Sequence, residues 1–233
     1  MRRPALALSI LRPAVSMTRY RIAAAASLSA FTLLVMAGCS SAATTSGPAT
    51  VSPSSPTGQT YASKAFVVPL TVTVDASLKS PPNPDSRNLL SWDAAHDSSG
   101  KVRFLVPVDL YRPGSSAPEP PPRDYLAYLR GLTSDGVTFS DVTTITVDGH
   151  PATLMSVAST GARNLDGSLG CPTVGADQGE GCFGFQPDLS MRIAVIPVGN
   201  STLLAWARTS KDSPGTAAFF AMFGTMLKSV RFR

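Results

Sequence analysis

The chain has 233 residues and carries 20 Lys and Arg against 15 Asp and Glu, a formal net charge of +5. Five of the basic residues and none of the acidic ones precede Cys39, which leaves 15 of each sign in residues 39–233. The basic excess therefore belongs to the N-terminal segment alone, and we exclude nucleic acid as a partner. About 170 residues follow position 63, a normal size for one domain with its own core.

The N-terminal segment has the layout of a secretory signal peptide. Arg19 and Arg21 form a basic region, and an apolar run covers residues 22–35. The run ends in Val35-Met36-Ala37-Gly38-Cys39, which resembles a bacterial lipobox, although Met36 stands where that pattern usually has Leu, Val or Ile. The resemblance implies a lipoprotein signal peptide over residues 1–38 and acyl chains, palmitate among them, on Cys39. It also implies a lipid anchor on the extracytoplasmic face of the cell membrane.

The same run permits two other interpretations. A plain secretory signal would leave Cys39 as a free thiol. A membrane-spanning anchor would need roughly 20 apolar residues, whereas this run has 14. The start of translation is open as well, because Met17-Thr18-Arg19-Tyr20-Arg21 already supplies a complete basic region.

A tether is predicted over residues 39–63. Its residues are almost all Ser, Thr, Pro, Ala and Gly, and the first charge after Cys39 is Lys64. Such a segment buries too little apolar area to offset the entropy of ordering, so we expect a flexible coil that is open to O-glycosylation. The globular domain is predicted over residues 64–233.

The domain opens with two predicted strands. Residues 66–74 and 101–106 are rich in β-branched and apolar side chains and partly alternate with polar ones. Residues 80–100 contain several prolines and are predicted to be mostly loop, with Trp92 inserted into the core.

Two helices are predicted. The first covers residues 124–130, with Gly131 as its C-cap. The second begins near Ser213 and Pro214 and is followed by a short edge strand within residues 229–232. Its apolar residues recur at helical spacing: Phe219, Met222, Phe223, Met226 and Val230. Because the helix lacks a basic cluster, this stripe favours packing on a sheet over lying on a membrane surface.

Two β-hairpins are predicted between the helices. Asp148-Gly149 separates residues 142–147 from 152–157, and Gly199-Asn200 separates residues 192–198 from 202–207. Asp-Gly between β-branched runs is a strong hairpin signal because its turn requires positive φ angles. The order of elements predicts an α+β domain with a mostly antiparallel sheet, covered on one face by the C-terminal helix.

Cys171 and Cys182 are predicted to form a disulfide, since they are an even pair in an oxidising compartment once Cys39 is lipidated. Their spacing does not match a Cys-x-x-Cys redox pair, and no metal-ligand pattern accompanies them. Asp177 and Glu180 lie in the closed loop, which is a candidate contact surface as well as a simple staple. We expect no metal and no cofactor.

The chain contains two histidines, His96 and His150. A Ser-His-acid hydrolase would have to use one of them, and the sequence has no Gly-x-Ser-x-Gly elbow. An envelope hydrolase of unknown substrate is therefore the alternative to a non-enzymatic module that binds an envelope protein, glycan or lipid.

The lipobox, the tether, the helix at residues 124–130, Val147-Asp148-Gly149-His150-Pro151-Ala152 and the terminal residues 227–232 together resemble small actinobacterial secreted lipoproteins. Some of those resemble the Mog1/PsbP-like α+β fold. The resemblance implies this location and fold class, and it assigns no chemistry.

Overall fold

The computed structural model describes residues 58–233. Cys39, the predicted signal peptide and the tether up to residue 57 lie outside the described residues. Within residues 58–233 the chain forms nine strands and two α-helices, and every strand pairing is antiparallel. The predicted α+β class, dominated by sheet, is confirmed.

The elements have the following bounds. The strands are β1 (Gly58–Ala62), β2 (Leu70–Asp75), β3 (Leu89–Asp93), β4 (Lys101–Leu105), β5 (Val137–Val147), β6 (His150–Ser159), β7 (Leu189–Val198), β8 (Ser201–Ser210) and β9 (Arg231–Phe232). The helices are α1 (Tyr125–Gly131) and α2 (Thr216–Ser229), and a 3₁₀ turn covers Leu132–Asp135.

The larger sheet has six strands in the order β3-β4-β8-β7-β6-β5. Both predicted hairpins are confirmed within it. Asp148 and Gly149 join β5 to β6 with φ angles of 47° and 81°, and Gly199 opens the turn between β7 and β8 with a φ of 58°. These positive angles are what tight hairpin turns require, and glycine adopts them without strain.

The smaller sheet has three strands in the order β1-β2-β9, in which Phe232 pairs with Leu70 and so joins the C-terminal strand to β2. Strand β1 lies where the sequence indicated tether, so the folded region extends to Gly58, before the predicted boundary at residue 64. Tyr61 accounts for this difference: its ring is buried against Trp92 and its hydroxyl donates to Asp85. The composition of the segment did not reveal this anchor.

The segment predicted to be mostly loop, residues 80–100, contains strand β3. Trp92 in this strand is buried as predicted, with edge-on contacts to the rings of Tyr61 and Phe104. The strand was missed because prolines flank it on the N-terminal side. Strand β3 forms because its backbone pairs with β4, and its short sequence alone does not indicate a strand.

Both faces of the six-stranded sheet are covered. On β8, Leu203 and Ala205 point to the core beneath α2 and the smaller sheet, whereas Leu204 and Trp206 point to a second core beneath α1 and the loop that holds the cysteines. The predicted packing of the C-terminal helix on one face is confirmed, since Phe223 and Met226 are buried there. The cover on the other face was not predicted.

The helix ends differ from the prediction in two places. Gly131 is the last residue of α1 rather than its cap, and the left-handed cap is Gly136, with a φ of 91°, after the 3₁₀ turn. Helix α2 begins at Thr216, after Gly215, and Ser213 does not cap it by a side-chain hydrogen bond. At the other end of α1 the prediction is close, because the Asp124 carboxylate accepts a hydrogen bond from the Ala127 N–H at 2.9 Å.

Candidate functional site

A groove of about 730 Å³ lies between helix α2 and strands β5, β6 and β7. This volume is within the roughly 300–1,000 Å³ typical of small-molecule sites. Its lining is as follows: Ile145, Thr146, Leu154, Ser156 and Arg192 from the strands, Asp141 from a bulge in β5, and Ala217, Phe220, Ala221, Gly224 and Lys228 from the helix. We name this cavity the helix groove.

The middle of the helix groove is apolar. Ile145 and Leu154 reach it from neighbouring strands, and Phe220 faces them from α2. Gly224 lines the same cavity one helical turn after Phe220, and a Cβ added to it would meet no atom within 4 Å outside the backbone of the helix. Packing therefore gives no reason for glycine there, although glycine within a helix costs about 1 kcal/mol relative to alanine.

Three polar side chains in the lining of the helix groove are connected by hydrogen bonds. The register of β5 on β6 shifts between Ser140 and Thr143, and Asp141 in this bulge has a φ of 49°. Its carboxylate accepts a 3.0 Å hydrogen bond from the Ser156 hydroxyl, which in turn accepts one of 2.8 Å from Arg192. The Arg192 guanidinium is thereby held 3.9 Å from Asp141.

Lys228 contributes a second cation to the helix groove. It is exposed, and it forms no ion pair with the residues that the structure describes. Asp141 is the one acidic side chain of the lining, against Arg192 and Lys228. The helix groove thus combines an apolar middle with a formal excess of one positive charge.

A second cavity, of about 670 Å³, lies beside the start of α1 and the β7–β8 turn. Turn residues and charged side chains, among them Arg123, Asp124 and Asn200, make up much of its lining. The helix groove is the better candidate, because its apolar side chains come from regular elements that hold them in place.

The predicted disulfide between Cys171 and Cys182 is present, with the two Cα atoms 4.2 Å apart. Asp177 and Glu180 in its loop are exposed, as a contact surface requires. Asp177 also has a structural role, since its carboxylate accepts hydrogen bonds from the N–H groups of Gly179 and Glu180 at 2.9 and 3.1 Å. The loop covers the face of the sheet opposite α2, so these two residues do not join the helix groove.

Helix α1 holds the segment that leads into this loop. The hydroxyls of Tyr125 and Tyr128 donate hydrogen bonds to the carbonyls of Leu169 and Ser168, each at 2.9 Å. Burial raises the pKa of both phenols, so they remain neutral donors at physiological pH. The segment before the loop is therefore fixed to helix α1, and the disulfide closes the loop on itself.

The histidines lie apart from the helix groove. His96 is exposed, and His150 has its Nδ1 3.2 Å from the carbonyl oxygen of Pro197 and its ring edge-on to Phe232. Among the described residues, neither histidine hydrogen-bonds to a serine or a carboxylate. The geometry thus offers no assembled Ser-His-acid triad in that part of the chain.

Within residues 58–233, no cluster of three or more His, Cys, Asp or Glu side chains is arranged to hold a metal ion. None of the helices in the same range has the length and apolar character needed to cross a membrane.

Sequence reasoning missed the residues of the helix groove. Ser156 and Arg192 lie within predicted hairpin strands but have no pattern that marks a site, and Asp141 is one residue before the predicted strand at 142–147. Gly224 was the available signal, because it interrupts an otherwise strong helical sequence, Phe219 to Met226, without ending the helix. Gly224 lines the helix groove, where any larger side chain would narrow it.

No family model matches the chain, and no curated protein matches it. Similar solved structures include PsbP from the cyanobacterium Synechocystis, at 10% identity and a TM-score of 0.42, with 80% of this chain and 100% of that chain covered. The Ran-binding protein Mog1p of Saccharomyces cerevisiae follows at 8% identity and 0.38, with 75% and 95% covered. A Bacteroides thetaiotaomicron protein has 8% identity and 0.39, and the match covers 76% of this chain but only 49% of that one.

These neighbours agree with the weak Mog1/PsbP-like resemblance at the level of overall fold. Each of these TM-scores is below 0.5. Actinobacterial lipoprotein origin remains a prediction from the sequence.

Proposed function

We propose that this protein is a membrane-anchored extracytoplasmic lipoprotein that acts as a non-enzymatic binding module. The lipobox-like Val35-Met36-Ala37-Gly38-Cys39 and the preceding basic and apolar regions support the anchor. The disulfide between Cys171 and Cys182 supports an oxidising compartment outside the cytoplasm.

The anchor is tested by replacing Cys39. Cys39→Ala should move the protein out of the membrane fraction or leave it there as unprocessed precursor, because the acyl chains of the proposed anchor are attached through Cys39. Stable anchoring requires at least two such chains. Fractionation with mass measurement of the N-terminus distinguishes these forms. A Cys39→Ala protein that is still processed and still membrane-bound like the wild type would refute the proposed anchor.

The ligand proposed for the module is an amphiphile with an apolar chain and an anionic head group. The observation that carries this proposal is the helix groove, whose apolar middle is formed by Ile145, Leu154 and Phe220. An alkyl chain in contact with these side chains gains about 0.8 kcal/mol for each CH₂ group removed from water.

The charges of the helix groove favour an anionic head. Lys228 is free of ion pairs with the described residues, and Arg192 is fixed by Ser156 with its charge only partly offset by the exposed Asp141. A carboxylate or phosphate between these cations would complete their hydrogen bonds, and such charge-assisted bonds are about twice as strong as neutral ones. A neutral amphiphile would leave this excess charge unmatched.

Photolabelling tests the ligand class on the anchored protein. We expect a diazirine-bearing fatty acid, added to vesicles that contain the full chain, to label peptides of α2, β5 and β6. Ala221→Trp fills the helix groove from the exposed side of the helix and should reduce this labelling at least about fivefold, as expected when an apolar site worth about 1 kcal/mol or more is lost.

Ala218→Trp is the matched control. Ala218 is exposed on the same helix and does not line the helix groove, so the same large side chain there should leave labelling unchanged. Equal loss in both variants, or equal labelling of all three proteins, would refute the helix groove as the ligand site.

A further inference from the structure

Two arginines share the face of the six-stranded sheet that lies opposite the helix groove. Arg103 on β4 pairs with Trp206 on β8, and Arg208 is the next residue of β8 on the same face. Diagonal neighbours of this kind lie roughly 7–8 Å apart at their Cα atoms. Their side chains meet at a small pocket of about 170 Å³ beside the disulfide-closed loop.

The loop supplies one wall of this pocket and positions Arg103. Phe183, directly after Cys182, lies under the Arg103 guanidinium, 4.5 Å from its carbon to the ring centroid, and makes an edge contact with Trp206. The Nε of Arg103 donates to the Ser91 hydroxyl at 3.3 Å. Stacking and this hydrogen bond fix the plane of the guanidinium and leave its other N–H groups available.

Within residues 58–233 neither arginine has a carboxylate partner at ion-pair distance, because Asp93 pairs with Lys101 instead. The Nε of Arg208 is buried and has no hydrogen-bond partner. Burial, reinforced by the charge of Arg208, lowers the pKa of Arg103 to about 10, and burial also lowers the pKa of Arg208. Both side chains are still charged at neutral pH, so the pocket contains two largely desolvated cations, and Asp93 and Asp188 act on Arg208 only from beyond ion-pair distance.

We propose that Arg103 and Arg208 bind an oxyanion group, a phosphate, sulfate or carboxylate, in the pocket beside the disulfide-closed loop. Guanidinium groups bind such oxygens through paired N–H donors. The pocket is several times larger than the roughly 30 Å³ occupied by one water molecule in the liquid, which suits a single oxyanion group. Asp166 lines the same pocket and limits its affinity through like-charge repulsion. This site is independent of the helix groove.

Titration calorimetry with the full chain in a nonionic detergent tests this site. At constant ionic strength, inorganic phosphate should bind saturably where chloride does not. Arg208→Gln should weaken phosphate binding at least about tenfold, the effect of losing one charge-assisted hydrogen bond. Arg87→Gln is the matched control, since Arg87 is exposed and does not line the pocket.

The melting temperature without phosphate distinguishes a binding role from a structural one. Removing one of two desolvated like charges should leave the melting temperature of Arg208→Gln at or above that of the wild type. If the role of Arg208 were structural, the substitution would lower the melting temperature. Asp166→Asn provides a second variant and should tighten phosphate binding about threefold by removing a nearby negative charge. Opposite shifts in either variant would contradict the proposal.

Glycerol 3-phosphate identifies the source of the group. Binding of glycerol 3-phosphate tighter than that of phosphate supports a phosphate carried on a larger molecule, and binding of phosphate alone supports a free anion. Absence of saturable binding for phosphate, sulfate and acetate alike would overturn the proposal.

Discussion

The two faces of the six-stranded sheet carry different kinds of cavity. Beneath α2 the helix groove is wide and apolar in its middle, and Arg192 is held by Ser156 and Asp141. On the other face the pocket of Arg103 and Arg208 is small and polar, and within residues 58–233 neither cation has a carboxylate at ion-pair distance. One face therefore offers shape and apolar area, and the other offers concentrated charge.

This difference follows from what covers each face. A regular helix covers the first face, and the small residues Ala217, Ala221 and Gly224 leave space between it and the sheet. An irregular loop closed by a disulfide covers the second face and can approach the strands closely. Phe183, directly after the loop, shows this approach, since its ring centroid lies 4.5 Å from the guanidinium carbon of Arg103 on β4. The two sites should consequently respond to different perturbations.

Removal of the disulfide should have the largest effect. Replacing Cys171 and Cys182 together by Ser should lower the free energy of unfolding by about 3 kcal/mol, the loop-closure value for about a dozen residues. It should also weaken phosphate binding, because Phe183 would no longer be held beneath Arg103. Urea unfolding and calorimetry measure the two effects.

Photolabelling of the helix groove should be unchanged in the same double variant under conditions in which it remains folded. The reason is that the helix groove and the pocket of Arg103 and Arg208 have no lining residue in common. Equal loss of labelling and phosphate binding would show that the two faces are one coupled site and would remove the contrast between them.

Much of the fold was accessible from the sequence because it depends on local signals. The Asp148-Gly149 and Gly199-Asn200 turns identified both hairpins, and the stripe that includes Phe223 and Met226 identified the helix on the sheet. Strands β1 and β3 were not accessible, since neither short segment alternates between apolar and polar residues. They are held by pairing with the next strands, β2 and β4, and by two buried aromatic side chains, Tyr61 and Trp92.

The candidate sites were harder to predict for a related reason. In Lys101-Val102-Arg103-Phe104 the alternation predicts one buried and one solvent-facing side, and this pattern alone places Arg103 on the solvent-facing side. The prediction included no cover for that second side, and the cover is made by a loop without a periodic pattern. The disulfide and the exposure of Asp177 and Glu180 were nevertheless consistent with the sequence, because spacing and composition determine them locally.

Gly224→Ala should have an intermediate effect and separates stability from binding. Alanine should raise the free energy of unfolding by about 0.5–1 kcal/mol, because it is the better residue in a helix. The added methyl group would project into the helix groove and should lower photolabelling by the fatty acid about twofold. Urea unfolding and quantified labelling measure the two changes, and phosphate binding should not change.

Thr225→Ala is the control for this helix substitution. Thr225 is exposed on α2 next to Gly224 and does not line the helix groove. It should raise stability by up to about 0.7 kcal/mol through helix propensity alone, with labelling unchanged. If Gly224→Ala destabilised the protein, the glycine would have a backbone role, and the argument that it keeps the helix groove open would fail.

Asp141→Asn should have the smallest effect, and it tests the charge of the helix groove. Asparagine tolerates the positive φ of this bulge and keeps an oxygen that can accept from Ser156. Stability should change by less than about 0.5 kcal/mol, because the ion pair with Arg192 is long and Asp141 is largely exposed. Release of Arg192 from the carboxylate should raise labelling by the anionic fatty acid about twofold, with no gain for its uncharged methyl ester.

Asp148→Asn is matched to this change in backbone and chemistry. Asp148 also has a positive φ, of 47°, and an ion pair, 3.8 Å from Arg231, but it does not line the helix groove. Its replacement should leave labelling by both probes unchanged, because no charge near the ligand is altered. A gain for the fatty acid in both variants would mean that overall charge, rather than Arg192, controls the labelling. A gain for the methyl ester in Asp141→Asn would mean that the helix groove selects its ligand by apolar contact alone.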